Sequence, residues 1–301
     1  MIIGDTMLKD KGADVVVIRY ECGHCKAKFF TTNKTPLKEC VICHREKLHS
    51  YEEDTSLSVP MIPFFVSLEH AKKTYRKKVF FRPLVPLIFK KKETINSISK
   101  LYLPIYFVQA NVSGEVAFLG ADKEKINQVG EKFIETKKYN VLYDINVDYQ
   151  DLSLNTSSII SEKAFQTVCQ YSSHDVRDAT SDLIAEGYVL EKNIDPAESA
   201  EKGRKRVMNH SLLMLKENII HAYFKLDQNN ASVNFSNSKE IWVPIYYMNV
   251  RYHDKDYMYL MNGNNGIFTI DLTFSKWKIV LWSAIVFILM MLLAFLVAYY
   301  L

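Results

Sequence analysis

The stretch YECGHCKAKFF at residues 20–30 and the stretch KECVICHRE at residues 38–46 decide the fold of the first part of this 301-residue chain. Each holds two cysteines separated by two residues, namely Cys22 with Cys25 and Cys40 with Cys43. A pair with this spacing forms a tight knuckle whose sulfur atoms can take adjacent corners of a tetrahedron. The segment between the pairs is typical of a β-hairpin that returns the second pair to the first. We therefore predict a single site made by four thiols.

Three chemistries fit two such pairs: a metal, a haem or two disulfides. The sequence Cys40-Val-Ile-Cys43-His44 matches the C-x-x-C-H pattern of haem attachment. Haem attachment, however, takes place on the exported side of a membrane and would leave Cys22 and Cys25 unexplained. Disulfides are disfavoured in a reducing compartment, and the lysines that precede the C-terminal apolar stretch, described below, favour the cytoplasm for this part of the chain. Zinc accounts for all four thiols, so we predict a structural Zn²⁺ ribbon over residues 1–50, with a closed site that is not catalytic.

The last part of the chain is apolar. Residues 279–301, IVLWSAIVFILMMLLAFLVAYYL, contain no charged residue, no proline and no glycine. As a helix this stretch is about 35 Å long, enough to cross a hydrocarbon core of about 30 Å. Trp277 and Trp282 at one end and Tyr299 and Tyr300 at the other match the aromatic belts of membrane interfaces. We predict one transmembrane helix.

The charges beside this helix indicate its orientation. Lys276 and Lys278 precede it and no charged residue follows it, which favours a cytoplasmic N-terminal side. The first twenty residues lack an apolar run long enough for a signal peptide. We therefore expect a tail-anchored, single-pass protein of the cell membrane with its N-terminal domain in the cytoplasm.

A basic segment follows the ribbon. Residues 72–100 hold ten basic residues and one acid, Glu93, so the local charge is 10 − 1 = +9. A patch of this kind meets anionic lipid, meets nucleic acid, or is a solvated helix face; we favour the lipid surface, the polyanion nearest to a membrane-anchored chain. The predicted anionic-surface patch consists of Lys72, Lys73, Arg76, Lys77, Lys78, Arg82, Lys90, Lys91 and Lys92.

The middle of the chain predicts an α+β domain over residues 59–275, with an antiparallel sheet and a helical insert. Ser67 is a helix start, and apolar residues recur at helical spacing until Pro83. The segments 101–120 and 241–263 share a Pro-Ile-Tyr motif and read as duplicated β-hairpins. Their expected turns are Ser113-Gly114 and residues 253–256. Helices are expected at 174–189 and 195–219.

The order of these features resembles the bacterial zinc-ribbon membrane proteins labelled transcription-factor-IIB-type. The matching stretches are the ribbon Cys22–Cys43, Ile62-Pro63-Phe64, Tyr102–Tyr106, Ile241–Tyr246 and the turn Asn262–Gly266. Tyr106 and Tyr246 stand where that family carries tryptophan. The resemblance implies an architecture and no defined activity.

The sequence favours binding over catalysis. The eight histidines are scattered and the fifth cysteine, Cys169, stands alone. Phe29 and Phe30 either fill the core of the ribbon or stack on bases, and we expect the core. We predict a zinc-binding adaptor with a protein partner and contact with anionic lipid. The alternative is a membrane-tethered nucleic-acid-binding protein that uses the ribbon and the basic patch.

Overall fold

The structure is a computed structural model that describes residues 14–56, 59–128, 131–219 and 223–300. Residues 1–13 of the predicted ribbon and Leu301 of the predicted span lie outside these ranges. The strands in the described ranges are β1 Asp14–Cys22, β2 Lys28–Thr31, β3 Leu48–Ser56, β4 Ser99–Gln128, β5 Glu131–Asn155, β6 Tyr188–Leu190, β7 Tyr223–Asn229, β8 Ser232–Tyr252, β9 Lys255–Asn262 and β10 Phe268–Ile270. The helices are α1 Leu68–Phe80, α2 Lys92–Asn96, α3 Glu162–Val168, α4 Ser181–Ala185, α5 Pro196–Glu217 and α6 Lys276–Tyr300.

The chain is a mixed α and β protein with a large sheet. The strand order is β10-β9-β8-β4-β6-β2-β1-β3, and β5 and β7 also pair with β4. The contacts divide the chain into two units. Unit 1 comprises residues 1–104, 159–191 and 242–301, and unit 2 comprises residues 105–158 and 192–241. Each unit combines segments that are distant from one another in the sequence. The predicted domains, with boundaries at residues 50, 59 and 275, are instead continuous stretches of sequence, and these boundaries stay predictions.

In unit 1, helix α1 confirms the expected start and buried face. Ser67 caps the helix by accepting a hydrogen bond from the His70 amide at 3.2 Å. Ala71, Tyr75 and Val79, which recur every four residues, are buried. The Tyr75 hydroxyl donates to the Phe89 carbonyl at 3.0 Å. This bond ties α1 to the 3₁₀ turn Leu87–Lys90.

The hairpin predicted over 241–263 is present as β8 and β9. Tyr252 pairs with Lys255, so only His253 and Asp254 form the turn. Both have positive φ, at 48° and 58°. This is the backbone of a type I′ turn, which matches the twist of the flanking strands.

The hairpin predicted over 101–120, in contrast, is wrong. Strand β4 runs through Ser113 and Gly114, and Gly114 pairs with Ile145 of β5. Gly114 has a φ of 136°, and a Cβ there would lie 2.7 Å from the Ala231 Cα and 2.8 Å from the Asn230 carbonyl oxygen. The glycine therefore allows a close approach of two backbones in unit 2, and it does not reverse the chain.

Gly114→Ala is accordingly expected to destabilise the protein by about 2–4 kcal/mol, the sum of an unfavourable φ and an overpacked contact. Denaturant unfolding of the full chain in detergent measures this. The control is Gly23→Ala, since a Cβ at Gly23 meets only Lys47, at 3.5 Å. Equal stability of the two variants would contradict the assigned role of Gly114.

Of the helices predicted over 174–189 and 195–219, only the second is present. Helix α5 covers most of 195–219 and is capped by Asp195, which accepts from the Ala197 amide at 2.9 Å. A helix over 174–189 is wrong, since only α4 and a 3₁₀ turn at Ser173–Asp175 form there. The reason is that Arg177 exchanges two backbone hydrogen bonds of 2.8 Å with Met61, which holds it extended.

Helix α6 matches the predicted span. It is 25 residues long, and none of the described residues that make it up is buried. By length and composition α6 is able to cross a membrane.

Candidate metal centre and basic surface

The two cysteine pairs form knuckles with one shared backbone pattern. In the first, the Lys26 amide donates to the Cys22 carbonyl at 3.0 Å, and the Cys22 amide donates to the Ala27 carbonyl at 3.0 Å. In the second, the His44 amide donates to Cys40 at 2.9 Å, and the Cys40 amide donates to Arg45 at 3.0 Å. In each loop, both of these backbone hydrogen bonds are made by the first cysteine of the pair. The loop therefore folds back on itself, and the two sulfur atoms of the pair lie on the same side of it.

Both knuckles use a residue with left-handed backbone at the same position. Lys26 has a φ of 60° and His44 a φ of 54°. Neither residue is glycine, so each costs on the order of 1 kcal/mol. Strain of this kind persists where the surroundings fix the chain, as two knuckles facing one site would do.

The four thiols predicted as ligands meet in unit 1. The Cys22 and Cys43 Sγ atoms are 3.6 Å apart, and the Cys25 and Cys40 Sγ atoms are 3.7 Å apart. All four sulfur atoms lie within 4.8 Å of one another. A disulfide has an S–S distance of about 2.05 Å, so the four cysteines are not paired as disulfides.

These distances fit a tetrahedral metal ion. With Zn–S bonds of about 2.3 Å, a tetrahedron places its sulfur atoms about 3.8 Å apart. Cys22 and Cys40 are buried, while Cys25 and Cys43 are partly exposed. The Ile42 amide also points to the Cys40 Sγ at 3.4 Å, a donor that favours a thiolate. The cluster is compatible with a zinc site.

Without a cation, the Cys25 and Cys43 thiols are held neutral. The hydrogen bond with Cys40, with burial, raises the pKa of the Cys25 thiol well above its usual range. Burial raises the pKa of the Cys43 thiol to about 11. Because coordinated thiols are deprotonated, metal binding at this cluster is coupled to proton release.

Within the part of the chain that the structure describes, neither His24 nor His44 of the ribbon belongs to the four-thiol cluster. His24 is exposed. Burial lowers the pKa of His44, which favours its neutral form.

Phe29 and Phe30 belong to the core, as expected. Phe29 is 0% exposed and stacks on Tyr20, with ring centroids 5.4 Å apart. Phe30 is 6% exposed and meets the Trp242 ring edge-on at 5.6 Å. Both rings are therefore closed to stacking with nucleic acid bases.

The predicted basic patch divides into separate groups. Lys72 pairs with Glu69 at 3.7 Å, and the Lys78 ammonium lies 5.5 Å from the centroid of the Phe268 ring. Arg76, Lys90 and Lys92 instead line one cleft. Lys73, Lys77, Arg82 and Lys91 are exposed.

Sequence reasoning missed the apolar residues beside these cations. Phe80, Phe81 and Leu87 are exposed by 70%, 73% and 67%. In the sequence they are recognisable as apolar residues that lie within a basic segment and do not belong to the buried face of α1. The contact of this segment with the start of α6, at Leu84 and Val85, carries no sequence signal.

The comparisons with known proteins add one distant relative. The chain is 23% identical over 232 residues to the uncharacterized protein YdjG of Bacillus subtilis (strain 168). The match covers 74% of this chain and 65% of that protein's length, slightly under two thirds. No family model matches the sequence. No solved structure matches it either.

Proposed function

We propose that the protein is a membrane-anchored zinc-binding adaptor whose ribbon faces the cytoplasm and recruits a protein partner. The observation that carries this proposal is the cluster of four thiols with sulfur atoms 3.6 and 3.7 Å apart across the two knuckles. The likeness to transcription-factor-IIB-type zinc-ribbon membrane proteins is part of the same proposal.

The donor set gives the ion a structural role. Cys22, Cys25, Cys40 and Cys43 would hold Zn²⁺, which cross-links the two knuckles when bound. Four protein ligands fill a tetrahedron and leave no position for a substrate. With Zn²⁺ bound to four thiolates, the site would carry a net charge of about −2, which the exposed Lys26, Lys38 and Arg45, close to the cysteines in sequence, would offset.

The cytoplasmic orientation rests on charge and on thiol chemistry. Lys276 and Lys278 lie in the first turn of α6, and the basic segment 72–100 precedes it in unit 1. Positive residues beside a span favour the cytoplasmic side. Free thiols also persist there, because the cytosol is reducing.

A protein partner is favoured over nucleic acid because the two aromatic rings between the cysteine pairs are not free to stack on bases. Binding to single strands combines cations with exposed aromatic rings, and both Phe29 and Phe30 are buried. Lys28 moreover lies 3.8 Å from Glu21, which offsets part of its charge.

The experiment that tests this choice uses the full chain in phosphatidylcholine nanodiscs. Single- and double-stranded DNA are titrated between about 50 and 200 mM salt. We expect weak binding that is the same for Lys26→Glu/Lys28→Glu and for a charge-matched control, Lys239→Glu/Lys255→Glu. Tight, salt-dependent binding that only the ribbon variant loses would replace the adaptor with a nucleic-acid binder.

A second arm looks for the partner itself. A photo-crosslinking amino acid is placed at the exposed His24 in living cells. We expect a discrete protein adduct that disappears when Cys22 is replaced. A crosslinked product that contains nucleic acid, or no adduct at all, would contradict the proposal.

A further inference from the structure

Unit 1 has a cleft whose rim is cationic. Its volume is about 310 Å³, and Arg76 of α1, Lys90 of the 3₁₀ turn and Lys92 of α2 line it. No carboxylate is among the described residues that form its walls. Three cations from two chain segments therefore line one cleft that has no acid among its lining residues, an arrangement that suits a phosphate.

The floor of the same cleft is apolar. Val79, Phe89 and Ile95 contribute to it, and all three are buried in the core behind α1. Phe80 forms part of the wall and is mostly exposed. A cationic rim over an apolar floor fits an amphiphile with an anionic head, and it fits a freely soluble anion less well.

The surface beside the cleft also combines basic residues with exposed apolar residues. Phe80 and Phe81 follow each other at the end of α1, and Leu87 begins the 3₁₀ turn. Large apolar side chains among lysines are the composition of surfaces that lie in the boundary between headgroups and acyl chains.

Two hydrogen bonds fix where this surface lies relative to α6. The Ser275 amide donates to the Leu84 carbonyl at 2.9 Å, and the Lys278 ammonium donates to the Val85 carbonyl at 2.6 Å. Residues 84 and 85 therefore touch the first turn of the helix that would enter the bilayer. Phe81 is three residues from Leu84 and Leu87 is two residues from Val85, so both lie within about 11 Å of the residues that touch this turn.

We propose that this cleft binds the headgroup phosphate of an anionic phospholipid in the leaflet that α6 enters. Arg76, Lys90 and Lys92 contact the phosphate, and Phe80, Phe81 and Leu87 lie at the boundary with the acyl chains. The lipid thus forms a second attachment beside α6 that fixes how unit 1 rests on the membrane. The inference rests on the membrane anchorage in the proposed function and is independent of zinc and of the partner.

The first test measures lipid retention by the full chain in a neutral detergent, using native mass spectrometry. The ligands are phosphatidylglycerol, phosphatidylcholine with the same acyl chains, and inorganic phosphate. We expect phosphatidylglycerol to bind at least about tenfold more tightly than either of the others. Inorganic phosphate that competes equally well would show a free-anion site and overturn the inference, as would equal binding of the two lipids.

Matched variants separate the cleft from general charge attraction. R76Q/K90Q/K92Q removes three charges that line the cleft, and K73Q/K77Q/K91Q removes three exposed charges outside it. We expect the first to lose about tenfold or more in phosphatidylglycerol affinity, and the second at most about threefold. Equal losses would overturn the cleft as the site. Unchanged zinc content and thermal unfolding show that both variants are folded.

The second test locates the acyl chains. A photo-crosslinking amino acid is placed at Phe81, or at Tyr51 of β3, another exposed aromatic residue, as control, in the full chain within phosphatidylglycerol nanodiscs. We expect lipid adducts from position 81 and none from position 51. Absence of adducts at 81, in a sample that still fractionates with membranes, would overturn the inference while leaving the anchorage intact.

Discussion

Replacement of Cys22 by serine is expected to abolish stoichiometric zinc binding and to unfold the ribbon. Structural zinc contributes an apparent binding free energy of about 10–16 kcal/mol in small zinc-dependent folds, while a whole domain is stable by only about 5–15 kcal/mol. Cys22 is buried at the end of β1 and anchors the first knuckle. Removal of one thiolate leaves three partners converging on an incomplete site.

The measurement is zinc content together with limited proteolysis of the full chain in detergent. Cys169→Ser is the matched control, because Cys169 is equally buried but lies outside the four-thiol cluster. We expect the control to keep its zinc and to resist cleavage between residues 20 and 50. A Cys22→Ser protein that retains zinc and resists cleavage as the control does would contradict the assignment.

Three arginines in α6 are expected to release the protein from membranes. On the insertion scale, an apolar residue at the helix centre contributes about −0.5 kcal/mol and arginine costs about 3 kcal/mol. The variant Ile285→Arg/Leu289→Arg/Leu293→Arg therefore loses on the order of 10 kcal/mol of insertion free energy. These side chains are exposed in α6, so no packing within the described chain opposes the change.

Alkaline extraction of membranes checks this result. The wild-type chain and the alanine variant at the same three positions should stay in the pellet, whereas the arginine variant should be soluble or degraded. Wild-type protein that alkali extracts would show that α6 does not span the bilayer.

Features set by local chemistry could be predicted from the sequence. The spacing within each cysteine pair predicts a knuckle, and the four thiols of the two pairs lie in one cluster. A helix cap at Ser67 and the turn at His253 likewise depend on neighbouring residues alone. The length of α6 follows from its composition.

Features set by distant partners could not be predicted. Gly114 resembles a turn residue, but its role depends on the approach of residue 231. Arg177 lies in a helix-like pattern, yet Met61 holds it extended. The cleft likewise joins Arg76 to residues 14 and 16 positions further along, and nothing in the charge pattern distinguishes these three cations from their neighbours.

The most direct measurement of the central claim is elemental analysis of the full chain, extracted from membranes under reducing conditions and without added metal. The four-thiolate centre predicts close to one zinc ion per chain, lost when Cys22, Cys25, Cys40 or Cys43 is replaced and kept when Cys169 is replaced. Protein that is folded and carries no metal, or that keeps its zinc after replacement of those cysteines, would contradict the account.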